Sequence, residues 1–266
     1  MRVRELAALV IAGLAIRSAP TAAQRTGDRA RLVFTVSGAF VGSTGLWTVP
    51  QQPLTDQFPG DTFFLSRSIK RAFGAGFAGT YYPAAHLGLS AEAFLIGLGY
   101  DDTCRLLSAG LNPRNAQVCQ SIDTRDKSAA SVAFSVGGIF RVASREFISP
   151  FVSAGAGFLF NNVSSVLMSG AVNASAKEQG EFFIYDDDDR TRIRPAFRIG
   201  VGSTVALGKA YHLRVEVRDN IVGIERVTGV KSDLQQIPPH ENTYKQLWSV
   251  HFGVDVILER QRGRRY

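Results

Sequence analysis

Apolar and polar residues alternate with a period of two along most of the chain beyond residue 30, in stretches rich in glycine and phenylalanine. A period of two places successive side chains on opposite faces of an extended strand, so the pattern predicts β-strands rather than helices. Most of these stretches reach the roughly 9–11 residues that a tilted strand needs to cross a bilayer. Eight strands are predicted, at residues 32–41, 72–82, 87–99, 129–142, 149–160, 192–207, 211–218 and 244–258.

The connections between the predicted strands alternate between short and long. Tight turns follow the second, fourth and sixth strands, whereas residues 42–71, 100–128, 161–191 and 219–243 form long connections. Strict alternation means that one end of the sheet is smooth and that the other end carries all the elaboration. The sequence therefore predicts an all-β fold, an eight-stranded antiparallel up-and-down β-barrel with both chain ends at the smooth end.

The first 23 residues follow a different pattern. Arg2 and Arg4 give a basic start, residues 6–16 are apolar without a charge, and small residues end the segment at Ala23. This order is typical of a secretory signal peptide, and it predicts cleavage after residue 23. The apolar run is shorter than the roughly 20 residues that a transmembrane helix needs. An uncleaved N-terminal helix is the alternative interpretation.

The last predicted strand carries a motif of its own. Its apolar residues alternate without a break, and His251, Gly253, Val256 and Leu258 stand in the pattern of the C-terminal sorting signal of outer-membrane barrels. Together with the even strand number and the alternating connections, this makes residues 32–258 resemble the small eight-stranded outer-membrane β-barrels of the OmpA/OmpX type, without a peptidoglycan-binding domain. The resemblance implies a transmembrane barrel with long external loops and short periplasmic turns, placed in the bacterial outer membrane after export.

Charged residues stand on one face of several predicted strands, opposite apolar residues. If they face inward, residues of both signs can pair in the lumen, whereas an arginine facing lipid near the midplane costs about 2–4 kcal/mol. We therefore expect an ionic belt that fills the narrow interior of an eight-stranded barrel. The alternative is a soluble, lipocalin-like barrel with these charges in water. The predicted belt consists of Glu92, Arg194, Arg198, Arg214, Glu216, Arg218, His251 and Asp255.

Composition and charge exclude several classes of protein. With 45% hydrophobic and 20% charged residues, the chain is not mainly disordered. The net charge of +7 would suit a nucleic-acid-binding protein, but residues 32–258 are neutral and the excess lies in residues 1–23, 24–31 and 259–266. We therefore expect no nucleic acid partner. The two basic tails, 24–31 and 259–266, are expected in the periplasm. Solvated, disordered tails are the favoured interpretation, and contact with anionic head groups or the cell wall is the alternative.

Two features of the long connections suggest chemistry. Cys104 and Cys119 lie in the second long connection. In an exported protein such cysteines most often pair, so we expect a disulfide, with free thiols or a metal contact as alternatives. Four consecutive aspartates, from Asp186 to Asp189, could attract Ca²⁺, but a solvated acidic loop is the favoured interpretation.

The sequence offers little for catalysis. His86 and His212 fall at the smooth end, His240 has no motif around it, and His251 is not followed by a nucleophile. No GxSxG, HExxH or phosphate-binding loop stands in a suitable context. We expect no enzymatic activity, no catalytic residue, no metal site and no cofactor.

Three classes of function remain. The favoured one is a structural or surface-interaction barrel with a side-chain-plugged lumen and exposed loops. The alternatives are a narrow pore or transporter for small or apolar molecules, and a barrel enzyme acting on lipid or peptide. Trp47, Phe58, Phe63 and Phe64 indicate that the first long connection contacts a partner or packs on the other loops. The resemblance implies a monomer whose partners are outer-membrane lipid, lipopolysaccharide and the barrel-assembly machinery.

Overall fold

The computed structural model describes residues 29–261, except 55–60, 98, 108–112, 125–129, 144–146, 162, 176–177, 188–192, 209 and 233–236. The predicted signal peptide, residues 24–28 and 262–266 of the two basic tails and the second half of the aspartate run lie outside these residues. The described elements are β1 (Arg29–Val41), β2 (Thr44–Leu54), β3 (Asp61–Ile69), β4 (Ala72–Tyr81), β5 (Leu87–Ile96), β6 (Tyr100–Leu106), α1 (Pro113–Thr124), β7 (Ser131–Arg141), β8 (Ile148–Asn161), β9 (Met168–Ser175), β10 (Glu178–Tyr185), β11 (Ile193–Ala206), β12 (Tyr211–Val227) and β13 (His240–Gln261).

Eight of the strands close into an antiparallel barrel in the order β1, β13, β12, β11, β8, β7, β5, β4. β1 closes the ring, because Val36 lies opposite Val254 of β13 on one side and opposite Phe77 of β4 on the other. The predicted eight-stranded up-and-down barrel is confirmed, and so are the tight turns between β4 and β5, β7 and β8, and β11 and β12. Each sequence-adjacent pair of barrel strands is also adjacent in the sheet, so no crossover is needed.

The last two strands are longer than predicted. β12 reaches Val227, where the sequence predicted an end at Arg218, and β13 begins at His240 rather than Tyr244. The two strands stay paired beyond the barrel rim as a two-stranded ribbon, up to the pair Val227 and His240. The fourth long connection is therefore mostly regular hairpin.

The other long connections are folded as well, although the sequence analysis assigned no elements to them. The first and second supply a three-stranded sheet in the order β2, β3, β6, the second also supplies α1, and the third forms the hairpin of β9 and β10. We call these six elements, together with the outer ribbon of β12 and β13, the cap. None of the described helices is long and apolar enough to cross a membrane.

The largest apolar core lies in the cap and the adjoining end of the barrel. Phe63 and Leu65 of β3, Val118 and Ile122 of α1, and Ile184 of β10 are all fully buried in it. The barrel has the opposite arrangement, because its large apolar residues are exposed on the outer wall. Among these are Phe34, Phe73, Phe77, Leu89, Phe134, Val136, Phe158, Ile199, Trp248 and Phe252.

Candidate functional site

The charged residues predicted to form the lumen belt lie inside the barrel. Arg198 of β11, Arg214, Glu216 and Arg218 of β12 and Asp255 of β13 are buried. His251 is buried too, and the side chain of Glu92 is only 6% exposed, whereas Arg194 is half-buried. Period-2 alternation explains the placement, since these residues share the face opposite the exposed apolar positions of their strands.

Five of these residues form one continuous ionic network, which we call the lumen cluster. Arg198 Nη1 lies 3.1 Å from Glu92 Oε2, and Arg218 Nη1 lies 2.5 Å from Glu92 Oε1. Arg218 Nε lies 2.9 Å from Glu216 Oε1, and Arg214 Nη2 lies 2.7 Å from Glu216 Oε2. Three guanidinium groups therefore alternate with two carboxylates across the lumen, so that each buried carboxylate touches two cations. Such pairing is required when ions leave water.

The other three predicted belt residues lie apart from the cluster. Asp255 accepts a hydrogen bond from Thr35 Oγ1 at 2.7 Å, and His251 Nε2 lies 2.9 Å from Ser249 Oγ. Arg194 sits at the outer end of β11, where its Nη2 lies 2.5 Å from Glu225 Oε1. The structure thus divides the predicted belt into a central cluster and separate contacts above and beside it.

Several residues that contact the lumen cluster were not among the predicted belt residues. Ser153 Oγ donates to Glu216 Oε1 at 2.6 Å, and Arg198 Nη2 donates to Ser90 Oγ at 3.1 Å. The guanidinium carbon of Arg214 lies 4.3 Å from the centre of the Phe151 ring, a cation–π distance. These residues occupy inward positions of predicted strands. Their place on the same strand face as the inward charges was the signal that could have identified them as partners.

Glycine makes room for the cluster at Gly200 of β11. A Cβ atom there would collide with Glu216 Oε1 and come within 2.8 Å of Ser153 Oγ. A Cβ atom on Gly155 of β8 would similarly lie 2.8 Å from Arg198 Nε. A glycine within a barrel strand can leave room for bulky neighbours or permit local strand curvature. At these two positions the nearest neighbour is a side chain of the lumen cluster.

Side chains fill the lumen on either side of the cluster. Toward the smooth end, the Arg141 guanidinium lies 3.5 Å from the centre of the Tyr82 ring and donates to Ala85 O at 3.2 Å. Toward the cap, the rings of Phe94 and His251 are 4.9 Å apart, and Phe94 belongs to the apolar core of the cap. The cluster is therefore held between a cation–π layer and an apolar layer.

The cap has its own buried ion pair. Arg67 of β3 binds Asp102 of β6 with both ends of its guanidinium, Nε to Oδ1 at 2.6 Å and Nη2 to Oδ2 at 2.7 Å. Arg67 Nη2 also donates to Leu167 O at 2.8 Å. The guanidinium lies 5.0 Å from the Tyr100 ring and 5.5 Å from the Trp47 ring. One buried side chain thus joins the first three long connections, and burial raises the pKa of the Tyr100 hydroxyl.

A disulfide between Cys104 and Cys119 ties β6 to α1. The helix packs on β9, where Ser121 Oγ accepts a hydrogen bond from Ala171 N at 2.7 Å. The buried residues Val118 and Ile122 lie on the same side of α1 as Cys119. The disulfide therefore fixes a mostly polar helix against the sheet of the cap.

The aromatic residues of the first long connection pack within the cap. Trp47 and Phe63 are buried, and Trp47 Nε1 donates to Ser165 O of the third connection at 2.9 Å. Phe64 is half-buried beneath Arg105, whose guanidinium lies 5.0 Å from the ring centre. Phe58 lies outside the described residues. Packing on the other loops therefore accounts for Trp47 and Phe63.

The remaining predicted positions that the structure describes bring no reactive groups together. Asp187 N donates to Asp186 Oδ1, and in the described part of the chain no group of three metal-binding side chains lies close enough to hold an ion. His86 Nδ1 and His240 Nδ1 contact backbone carbonyl oxygens. Ser249 and His251 form a serine–histidine contact, but both are buried and His251 Nδ1 lacks a hydrogen-bond partner among the described residues.

The four residues of the predicted sorting motif lie on β13, which pairs with β1 and β12. His251 and Gly253 are buried on the inner face, while Leu258 is exposed on the outer face near the smooth end. Val256 lies between them, opposite Phe34 of β1. The motif therefore occupies the strand where the barrel closes.

No family model and no curated protein sequence matches the chain. Among solved structures, the chain is similar to Neisserial surface protein A, at 10% identity and a TM-score of 0.42, over 87% of this chain and 96% of that one. It is similar to the outer membrane protein OprG from Pseudomonas aeruginosa, at 9% identity and a TM-score of 0.44, over 88% and 97%. It is also similar to Ail, the attachment invasion locus protein of Yersinia pestis, at 10% identity and a TM-score of 0.38, over 88% and 99%. These values describe a shared small-barrel shape and carry no information about ligands.

Proposed function

We propose that this protein is an integral barrel of the bacterial outer membrane, with a plugged lumen and a folded cap that serves a structural or surface-interaction role. The observation that carries the proposal is the reversed polarity of the barrel. Large apolar residues cover its outer wall, whereas Arg198, Arg214, Glu216 and Arg218 are buried inside it.

The outer wall fits hydrocarbon rather than water. Phe73 is 80% exposed and Val136 is 68% exposed, and their neighbours on the wall are apolar as well. A soluble monomer rarely leaves so large a continuous apolar surface in water, because each Å² of it costs about 25 cal/mol. A closed barrel also satisfies every backbone group of its wall, as a bilayer demands. Aromatic residues at both rims, such as Tyr211 and Trp248, support the same placement.

The lumen cluster and the cap support a plug rather than a channel. An eight-stranded barrel is just wide enough for side chains to fill. The cluster crosses the interior, and the residues above and below it are an apolar layer and a cation–π layer. A solute would have to separate ion pairs that are buried in a medium of low dielectric constant, which is costly. Among the described residues, no reactive constellation favours an enzymatic role.

The proposal includes the route by which the protein reaches its place. Residues 1–23 direct export, and the motif at His251, Gly253, Val256 and Leu258 presents β13 to the barrel-assembly machinery. Outer-membrane lipid and lipopolysaccharide surround the wall, and the basic tails contact anionic groups in the periplasm. The protein acts as a monomer without a metal or cofactor.

Two measurements test the proposal. Folded membrane barrels migrate differently on a denaturing gel before and after boiling, so we expect a shift for the purified protein and its recovery in the outer-membrane fraction. A protein that lacks the shift and stays in solution without detergent would refute membrane insertion. In planar bilayers we expect no reproducible single-channel steps. Regular steps would refute the plug and favour the narrow pore, while leaving the membrane placement intact.

A further inference from the structure

The outer ribbon of β12 and β13 extends past the strand that closes the barrel. β1 pairs with β13 up to Val41 opposite Ser249, and the Gly42 amide still donates to Trp248 O at 2.8 Å. There the chain leaves β13 and turns into β2 at Thr44. β13 continues for eight residues further, from Leu247 back to His240, paired only with β12 among the described residues.

This step leaves backbone groups on one edge of β13 without a strand. In an antiparallel ladder, alternate residues point their N–H and C=O groups to the same side. Trp248 points toward β1, so Gln246, Tyr244 and Asn242 point the same way, past the place where β1 has ended. The described residues include no strand that pairs with this stretch of edge.

The opposite edge of the ribbon is covered, which makes the open edge distinctive. On β12, Pro195 packs against Gly223, where an added Cβ atom would lie 3.1 Å from the proline ring. Ser165 Oγ donates to the backbone carbonyl of Glu225 at 2.8 Å. Folded proteins usually protect exposed strand edges in such ways, because a free edge is a template for another strand.

A groove of about 500 Å³ runs along the open edge. Gly42, Ser43 and Thr44 line one side, and Tyr244 and Trp248 line the other. Tyr244 and Trp248 are both more than half exposed. Lys245 is the charged residue of the lining, which also includes Gln246 and Ile221.

We propose that this edge binds an extended segment of a partner polypeptide, which adds to β13 as an antiparallel strand and continues the ladder that β1 leaves at Gly42. Main-chain hydrogen bonds to Tyr244 and Gln246 supply the recognition, as in other cases of strand addition. Alternate apolar side chains of the segment pack beside Tyr244 and Trp248, and an acidic residue faces Lys245. The continuity with the β1 ladder favours a strand over other occupants of the groove.

The inference deepens the surface-interaction role and rests on it only for placing the edge outside the cell. The probe is a fluorescent peptide of alternating valine and threonine with one terminal glutamate, added to the full chain in neutral detergent micelles. We expect saturable binding by fluorescence anisotropy. Heat-dependent gel migration, measured on the same sample, tests the barrel separately from the edge.

The decisive variant is Tyr244→Pro. Proline removes the N–H that faces the groove and keeps every bond to β12, since residue 244 does not donate to that strand. We expect at least tenfold weaker binding, whereas Tyr244→Phe binds like the wild type. The same loss is expected when the probe is N-methylated on the alternate residues that face β13, a change that leaves the protein untouched. Binding that survives either change would overturn the proposal.

Amide exchange supplies an independent reading of the edge. Without the probe, we expect the amides of Tyr244 and Gln246 to exchange at least tenfold faster than those of Val250 and Phe252, which face β1. The probe should slow them. If the wild type does not bind the probe and only phosphatidylglycerol slows these amides, the groove takes a lipid head group and the proposal fails. A dimer that Tyr244→Pro abolishes would assign the edge to a second copy and equally overturn it.

Discussion

The barrel and the cap are made by one chain but have opposite polarity. In the barrel, Glu216 is fully buried and Val136 is 68% exposed. In the cap, Phe63 and Leu65 are fully buried. Each region follows the solvent proposed for it, since hydrocarbon accepts the apolar wall and water accepts the polar exterior of the cap. At the barrel rim the interior therefore changes from polar, in the barrel, to apolar, in the cap.

The two regions nevertheless bury ions in the same manner. Glu216 in the barrel touches Arg214 and Arg218, and Asp102 in the cap receives both ends of Arg67. Each buried carboxylate is therefore neutralised and hydrogen-bonded, which is the condition under which a buried ion is tolerated. The difference is connectivity, because the lumen cluster links three barrel strands whereas the cap pair joins loops.

The largest effect is expected at the centre of the lumen cluster. Glu216→Gln removes the charge shared by Arg214 and Arg218 and leaves two buried guanidinium groups undercompensated. Breaking a buried pair in this way costs about 3–5 kcal/mol. The free energy of unfolding, measured by urea titration in phosphatidylcholine vesicles, should fall by that amount.

The matched control is Glu241→Gln, which removes a carboxylate that pairs with Arg226 on the exposed part of the ribbon. Exposed pairs contribute less than about 1 kcal/mol, so this variant should unfold like the wild type. Equal losses for the two variants would mean that the lumen is as wet as the surface, and the plug would then be wrong.

The second prediction compares a charge placed on the outer wall of the barrel with a charge placed at an exposed site beyond β12. Val136→Arg places a charge in the middle of the outer wall, where an arginine costs about 2–4 kcal/mol in a bilayer. Val230→Arg, at a 44% exposed site beyond β12, should change stability by less than about 0.5 kcal/mol. Both variants are compared by folding yield and urea titration in vesicles. A wall that tolerated Val136→Arg as well as the connection after β12 tolerates Val230→Arg would belong to a soluble barrel.

The third prediction separates the stability of the cap from that of the barrel. Replacing Cys104 and Cys119 together by serine opens a loop of 15 residues, which lowers stability by about 3 kcal/mol in the chain-entropy model. The loss should be confined to the cap. Trp47 lies in the cap and Trp248 in the barrel wall, so single-tryptophan variants report on each region. We expect an earlier fluorescence transition at Trp47 and an unchanged one at Trp248; a shared shift would contradict two independently stable regions.

The barrel could be predicted from the sequence because its wall obeys one simple pattern. Outward residues are apolar and most inward residues are polar, charged or small, with large exceptions such as Phe94 and Phe151, so the alternation remains visible along the wall. The charges of the lumen were visible for the same reason. The ion pairs that these charges form could not be predicted. The sequence places inward residues such as Glu92 and His251 at a similar depth, and the strand tilt then decides which inward residues meet. In the structure, Arg198 and Arg218 form ion pairs with Glu92, and His251 contacts Ser249.

The cap was missed because its strands put charges on the buried face. In β3 the buried positions are Asp61, Phe63, Leu65, Arg67 and Ile69, so two charges interrupt the apolar alternation. β2 contains two prolines, and α1 has a narrow apolar side on an otherwise polar helix. Burial of Arg67 is compensated by its pairing with Asp102, which belongs to a different long connection and comes close only in the folded cap. Local sequence patterns do not contain such long-range compensation.

The smallest expected effect tests how tightly the lumen is packed. Gly200→Ala would place a methyl group against Glu216 and Ser153, both of which are held by other bonds. Overpacking of this kind costs about 1–3 kcal/mol. The matched control is Gly79→Ala on β4, where a Cβ atom would meet nothing within 4 Å. Both glycines lie in barrel strands, Gly200 on the inner face and Gly79 on the outer face, so the two variants make the same chemical change with and without crowded neighbours. Unfolding in vesicles should therefore separate them, and equal stability would indicate that the cluster can shift aside and is looser than its distances imply.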